Sequence, residues 1–371
     1  MKQIIKRGSF FTLMFMLLGC LSLYAADNDL ITKQITIQLE KAGTLPDRIG
    51  SRRKYKITNL KIIGEINGAD LSMIREMAGS NSTGNFTDGK LSVLDLSEAK
   101  IVEGGDYYFY YYYYTSNDVI GHHAFAGCRG LTSLTLPAGI TEIGDYAFAG
   151  CRGLTSLTLP AGITEIGDGA FKACSGLTSL TLPAGITEIG DDAFQECSGL
   201  TSLTLPAGIT EIGSNAFRYC SGLTSLTLPA GITEIGDNAF YWCSGLTSLT
   251  LPAGITKIGY RAFYGCSGLT SVYVYAEKVP KIDGSVFGGI DAKKCTLYVP
   301  MGTRDDYRIS LFAYFKNIVE FEATGIDKTT TSTDVEEVAR YSVNGLRLSA
   351  LTKGLNIVKY SDGSVKKVTV R

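Results

Sequence analysis

Over residues 128–274 the chain repeats itself every 23 residues. Cysteine returns at Cys128, Cys151, Cys174, Cys197, Cys220, Cys243 and Cys266. Phenylalanine keeps step at Phe125, Phe148, Phe171, Phe194, Phe217, Phe240 and Phe263. The shared unit reads C-S-G-L-T-S-L-T-L-P-A-G-I-T-E-I-G-D-x-A-F-x-x. A fixed period means that one supersecondary unit is stacked on copies of itself, because such arrays grow by adding coils.

The unit spanning 131–151 shows how a coil is built. Leu134 and Leu136 alternate with Ser133 and Thr135, the period of a strand with one face turned inward. Pro137 withholds an amide and ends it. Ala138-Gly139 turns the chain, Ile140 and Ile143 point back in, and Gly144-Asp145 turns again. Ala147-Phe148 buries an aromatic, and Cys151 fills a small apolar slot. One unit has too few apolar side chains to offset the entropy of ordering its own backbone. Neighbours must supply the missing walls and strand hydrogen bonds. The expected fold is an α/β-type repeat solenoid, with a parallel β ladder on one side and short irregular or helical segments on the other.

The rest of the chain divides around this coil. Residues 1–26 read as a signal peptide: Lys2, Lys6 and Arg7 precede an apolar run over 10–23, then Ala25 and Ala26. Leu17-Leu18-Gly19-Cys20 offers a second processing, with a lipid on Cys20. The apolar run is short for a membrane span. The chain is therefore expected to be exported, to the cell surface or beyond it. Residues 27–89 form an N-terminal capping region. It has strands around Ile35, Ile37, Leu39 and around Leu60, Ile62, and a helix capped by Asp70 with Leu71, Ile74 and Met77 on one face. The solenoid runs over 90–300, a C-terminal cap over 301–322 and a Thr-rich linker over 323–338. Residues 339–371 form a small β module, with hairpin signals at Asn344-Gly345 and Asp362-Gly363. Between Leu94 and Leu134 the spacing is 40, so the first full unit carries an insertion.

That insertion holds Tyr107, Tyr108, Phe109, Tyr110, Tyr111, Tyr112, Tyr113 and Tyr114. It reads either as a contact loop of rigid aromatics or as a lid folded over the first coils. Elsewhere six units share L-T-S-L-T-L-P-A-G-I-T, and variation is confined to the residues flanking A-F. Towards the C-terminal end this edge becomes aromatic and basic: Tyr219, Tyr241, Trp242, Tyr260, Arg261 and Tyr264. Such residues dominate binding hot spots.

Other chemistries find less support. Equivalent cysteines in stacked coils have parallel Cβ vectors, so buried free thiols are expected rather than disulfides. Their spacing does not suit zinc. Two acidic columns, Glu142, Glu165, Glu188, Glu211, Glu234 and Asp145, Asp168, Asp191, Asp237, read as a solvated face or a place for a cation. His122 and His123 are the only histidines, and no nucleophile–His–carboxylate set or phosphate loop accompanies them. No enzyme, metal or cofactor is expected. A net charge of -1 without a basic run argues against nucleic acid.

The pattern L-x-x-L-x-L-P-x-x-I-x-x-I-G-x-x-A-F-x-x-C resembles the BspA-like leucine-rich-repeat family of bacterial surface proteins. The tail N-G-L-R … K-G-L-N-I-V-K … D-G-S-V-K-K-V is similar to the C-terminal sorting modules of Bacteroidetes secreted proteins. The resemblance implies an exported, non-enzymatic binding or adhesion protein. Its partners would be proteins, including host extracellular-matrix or cell-surface proteins. Two alternatives stand beside this: a structural spacer without a specific ligand, and a glycan-binding module using exposed Tyr and Trp. Membrane association would come only through a lipid on Cys20.

Overall fold

The computed structural model describes residues 30–322 throughout, and beyond them the strands Glu337–Ser342, Arg347–Leu348, Gly354–Tyr360 and Val365–Val370. The signal segment with Cys20, most of the linker, Asn344-Gly345 and Asp362-Gly363 lie outside the described residues. The chain forms two units, 1–322 and 323–371. In the second, the four strands pair antiparallel in one sheet. Its first strand opens at Glu337, inside the stretch read as linker.

In the first unit the strands lie side by side in chain order and parallel. They begin with β1 (Ile35–Leu39), β2 (Asn59–Ile66) and β3 (Val93–Ile101), then pass to the short S-L-T strands of the repeats. Register follows the repeat: Leu134 faces Leu157, and Leu180 faces Leu203. It also ignores the insertion, since Leu94 faces Leu134. The central Leu of each strand is buried while its Ser and Thr point outward in most coils. From Thr155 to Thr270 the Thr before each strand donates its hydroxyl to the carbonyl of the equivalent Thr one coil back, as Thr155 does to Thr132 at 3.2 Å.

The second side departs from expectation. Glu142–Ile143 and its equivalents are short strands rather than irregular or helical segments, paired in parallel through Val119–Ile120, Glu142–Ile143 and Glu165–Ile166 and again from Glu188–Ile189 onward. The isoleucine is buried, and identical backbone arrives at each successive coil, so N–H and C=O groups find partners there too.

The A-F side carries a third ladder and no helix. Alternate amides donate to the next coil: His123 to Asp145 O at 2.8 Å, Phe125 to Ala147 O at 2.7 Å and Gly127 to Ala149 O at 2.8 Å. The intervening amides close short local turns, such as Cys128 N to Phe125 O at 3.0 Å. Among the described residues, helices are confined to the ends of the coil: α1 (Leu45–Ile49), α2 (Gly68–Met77) and α3 (Arg304–Arg308), with a 3₁₀ turn at Leu311–Tyr314.

The three ladders enclose one apolar core. Phe125, Phe148, Phe171, Phe194, Phe217, Phe240 and Phe263 stack nearly parallel, with centroids 5.1–5.5 Å apart, and Phe287 continues the column. The ladder cysteines are buried free thiols. From Cys151 to Cys266 each Sγ donates to the phenylalanine carbonyl one coil back, as Cys151 does to Phe125 at 3.1 Å and Cys197 to Phe171 at 3.0 Å. That bond explains the residue type: the slot needs a small apolar body with one weak donor.

At the N-terminal end Asn67, not Asp70, is the N-cap of α2. Asp70 sits at N3 and returns the bond, accepting from Asn67 N at 2.9 Å in a capping box. The same carboxylate accepts from Leu45 N at 2.8 Å, which ties α1 to α2. At the other end the strand Asn317–Phe321 pairs on Thr296–Pro300, and Tyr307 and Phe312 close the core beneath it.

Candidate contact surfaces

The third ladder forces two residues per coil into the left-handed region. One slot precedes Ala and holds His123, Tyr146, Gly169, Asp192, Asn215, Asn238 and Arg261. The other precedes Cys and holds Gly127, Gly150, Ala173, Glu196, Tyr219, Trp242 and Gly265. All have φ between 52° and 76°. Glycine adopts this backbone freely, whereas other residues cost roughly 1–2 kcal/mol. Two of the repeat's variable columns are therefore also strained.

At the C-terminal end of this edge the six residues singled out by sequence come together. Tyr241 and Tyr264 stack at 5.4 Å and 14°. Tyr219 meets Tyr241 edge-on at 5.7 Å, and Trp242 lies 6.5 Å from Tyr241. The Arg261 guanidinium sits 4.8 Å from the Tyr260 ring and 5.3 Å from Tyr264. Trp242 lies over Gly265, where an added Cβ would stand 3.0 Å from three indole atoms. Tyr219, Trp242 and Tyr260 keep 39%, 48% and 42% of their surface exposed, while Tyr241 and Tyr264 are half-buried. Sequence reasoning missed Arg218, whose guanidinium is 4.9 Å from Tyr219 and 5.2 Å from Tyr241. Its spacing of 23 from Tyr241 and 46 from Tyr264 placed it in their column.

The tyrosine insertion is a hairpin, β4 (Gly104–Phe109) and β5 (Tyr113–Thr115), docked on the N-terminal cap. Two of its aromatics are not contact residues. Tyr108 is 1% exposed and Phe109 6%. Tyr108 Oη donates to His122 O at 2.8 Å, and burial pushes its phenol pKa well up, so it stays a donor. Phe109 lies under the Arg75 guanidinium at 4.3 Å. Tyr110 N donates to Ser82 O at 2.7 Å, pinning the turn. Tyr107 and Tyr113 are half-buried; Tyr110, Tyr111, Tyr112 and Tyr114 are exposed. Tyr110 and Tyr111 have φ of 43° and 65°, so the tip is strained as well. Tyr113 touches His123 at 5.1 Å, and His123 stacks on Tyr146 at 5.2 Å. The hairpin thus rises from the same A-F edge, several coils before the aromatic patch.

The acidic columns have a structural use. Asp145 Oδ1 accepts from Asp168 N at 2.9 Å, Asp168 from Asp191 N at 2.8 Å, and Asp237 from Tyr260 N at 2.7 Å. Each carboxylate binds the next coil's backbone rather than its own, because stacking brings that amide closer. Burial raises the Asp168 pKa, and Asp145, Asp191 and Asp192 add to the rise. His122 fills the same slot, its Nδ1 accepting from Asp145 N at 2.9 Å. The glutamate column ends where Lys257 Nζ meets Glu234 at 3.0 Å. Among the described residues, no cluster of three His, Cys, Asp or Glu is placed to hold a metal.

A coil of parallel ladders with a repeating Leu, Ile, Phe and Cys interior defines a leucine-rich-repeat solenoid. The chain belongs to the BspA type leucine rich repeat family, whose pattern matches in six copies over residues 105–223 and 187–318. It is similar to a leucine-rich repeat protein from Bacteroides ovatus ATCC 8483, at 23% identity over 78% of this chain and 72% of that one, with a TM-score of 0.50; this supports the fold. It is also similar to the T. pallidum Leucine Rich Repeat protein, at 36% identity over 41% of this chain and 71% of that one, with a TM-score of 0.38. A leucine rich cell surface protein from Faecalibacterium prausnitzii A2-165 matches at 33% identity over 50% of this chain and 48% of that one, with a TM-score of 0.41. No curated protein matches the chain.

Proposed function

We propose that this chain is an exported, surface-presented, non-enzymatic binding protein that adheres to protein partners on host or other cells. Its contacts are the exposed hairpin tyrosines Tyr110, Tyr111, Tyr112 and Tyr114, and the aromatic edge from Tyr219 to Tyr264. The single observation that carries this reading is the placement of large aromatics in left-handed slots. Tyr219 and Trp242 occupy a slot filled by Gly127, Gly150 and Gly265 in sister coils. There they cost backbone strain, and 39% and 48% of their surface reaches solvent rather than the core. Glycine fills the same slot in three other coils, so the fold of a coil does not require that bulk. Tyr110 and Tyr111 repeat the arrangement at the hairpin tip. Rigid aromatics beside arginine suit a protein interface.

The signal segment supports export, and a lipid on Cys20 would tether the coil to the membrane. Among the described residues, no helix is long and apolar enough to cross a membrane. The C-terminal β unit would serve as a sorting module. A second reading, a spacer without a ligand, draws on the identical L-T-S-L-T-L-P-A-G-I-T of six coils.

The test uses the intact chain and immobilised extracellular-matrix and mucus proteins. One variant carries Tyr110, Tyr111, Tyr112 and Tyr114→Ser, and a second carries Tyr219→Gly with Trp242→Gly. Adhesion should fall at least about tenfold in one or both, with the melting temperature unchanged or raised. Equal adhesion by both variants and the parent would sink the contact reading in favour of the spacer.

A further inference from the structure

A cavity of about 220 Å³ opens on the A-F edge, lined by Arg152, Ala173, Ser175, Glu196, Ser198 and Tyr219. These residues flank four successive cysteines, Cys151, Cys174, Cys197 and Cys220. Ala173, Glu196 and Tyr219 form the column just before Cys; Arg152, Ser175 and Ser198 form the column just after it. The hollow exists because Gly150 and Ala173 leave the earlier coils bare where Glu196 and Tyr219 fill the later ones.

We infer that this cavity is a saccharide subsite, taking one neutral sugar residue with Tyr219 as its platform; the inference rests on reading the A-F edge as a contact surface. Charge selects the ligand class. Arg152 offers only donors and Glu196 only acceptors. Among the described residues, neither side chain has an ion-pair or hydrogen-bond partner, although both face one cavity. An anionic ligand would meet Glu196 and a cationic one Arg152. A neutral polyol satisfies both, its adjacent hydroxyls donating to the carboxylate and accepting from the guanidinium in charge-assisted bonds. The Ser175 and Ser198 hydroxyls in the lining can each donate and accept as well. A peptide anchor would want a deep apolar pocket, and the only small apolar wall here is Ala173. Tyr219 adds a flat apolar face for the C–H side of a sugar ring.

Trp242 follows Tyr219 in the same column, one coil on, about 4.8 Å along the axis. It is the chain's only tryptophan, rests on Gly265 and is 48% exposed. A second sugar residue of an extended oligosaccharide would reach it.

Trp242 therefore makes the test direct. The full chain is screened on a printed array of plant, microbial and mammalian glycans, neutral and anionic, and hits are titrated by tryptophan emission and calorimetry. At least one neutral oligosaccharide should bind and shift the emission. Tyr219→Ala, Glu196→Gln and Arg152→Met should each weaken it at least about tenfold without lowering the melting temperature. Filling the hollow with Ala173→Gln should do the same. No neutral hit, hits confined to anionic glycans, or a hit unchanged by Tyr219→Ala and Glu196→Gln would overturn the subsite. The two readings separate: Glu196→Gln should weaken sugar binding at least about tenfold and leave adhesion to glycan-free proteins intact, whereas loss of that adhesion with sugar binding unchanged would place Glu196 in the protein contact and overturn the subsite.

Discussion

Arg75 Nη1 donates to the carbonyl oxygen of Ala124 at 3.0 Å, and this bond stands in for a coil that is not there. Within the third ladder, Asp145 O, Ala147 O and Ala149 O each receive an amide from the preceding coil. Their equivalents in the first coil are His122 O, Ala124 O and Ala126 O. Tyr108 Oη serves the first at 2.8 Å, Arg75 Nη1 the second, and Arg75 Nη2 the third at 3.1 Å. Arg75 is fully buried, and burial lowers its pKa, so the cap holds an arginine among carbonyls instead of carboxylates. Arg75→Met should strand two buried carbonyls, costing roughly 1–3 kcal/mol each. Tyr108→Phe should cost about 1–2 kcal/mol. Hydrogen exchange should quicken over the first coils and stay slow in the later ones. Arg75→Met with the parent's urea midpoint would refute the cap. Cutting out the whole hairpin is for the same reason no neutral deletion, since it removes Tyr108.

The thiol ladder predicts alkaline fragility. Burial pushes Cys128 up to about 11 and Cys220 and Cys266 up to about 12, from an ordinary 9.0. An unfolded chain ionises these thiols at the ordinary value while the folded coil holds its protons. Stability is therefore full below pH 9 and falls as pH rises past it, by up to roughly 1.4 kcal/mol per thiol per pH unit. The melting temperature should drop steeply over that range, and Cys197→Ala should flatten the slope. A thiol reagent at neutral pH should leave the ladder untouched until urea unfolds the coil. Rapid labelling of the native chain would contradict the burial.

His123 makes the N-terminal end sensitive to acid. Its ring lies among Phe109, Tyr113 and Tyr146, with Arg75, His122 and Asp145 the charged or titratable groups around it. Burial first, then Arg75 and His122, hold its pKa below 6.5. The unfolded chain takes the proton first, so stability is full above pH 6.5 and declines as pH falls below it. Asn tolerates the left-handed backbone of this slot. His123→Asn should accordingly lose less stability than the parent between about pH 7.5 and 5.5. Equal losses in urea titrations would remove His123 as the cause.

The coil was legible because its period dictates it: Leu134 over Leu157 and Phe148 over Phe171 follow from 23-residue spacing alone. The second ladder was not, because Glu142–Ile143 is too short to show a strand's alternation and gains its bonds only on stacking. The left-handed slots were hidden by occupants as unlike as Glu196, Asn215 and Trp242, with Gly127, Gly150, Gly169 and Gly265 as scattered hints. Among eight consecutive aromatics, hydrophobicity could not separate the buried Tyr108 and Phe109 from the exposed Tyr111. Arg75 reads in sequence as an ordinary helical arginine, and only the missing coil beyond His122 gives it a task.

The aspartate column separates two roles that one residue type combines. Asp168 Oδ1 accepts from Asp191 N, which favours keeping an oxygen there. Its raised pKa says that, once charged, the carboxylate is disfavoured by burial and by Asp145, Asp191 and Asp192. Asp168→Asn retains an acceptor and removes the charge, so it should leave the melting temperature equal or higher, most visibly at low salt. Asp168→Ala removes both and should cost about 1 kcal/mol, because the Asp191 amide loses its partner. Raising the ionic strength should stabilise the parent more than Asp168→Asn, since only the parent has this repulsion to screen. If Asn and Ala were equally destabilising across salt concentrations, the column would owe its place to the charge itself rather than to the bond it accepts.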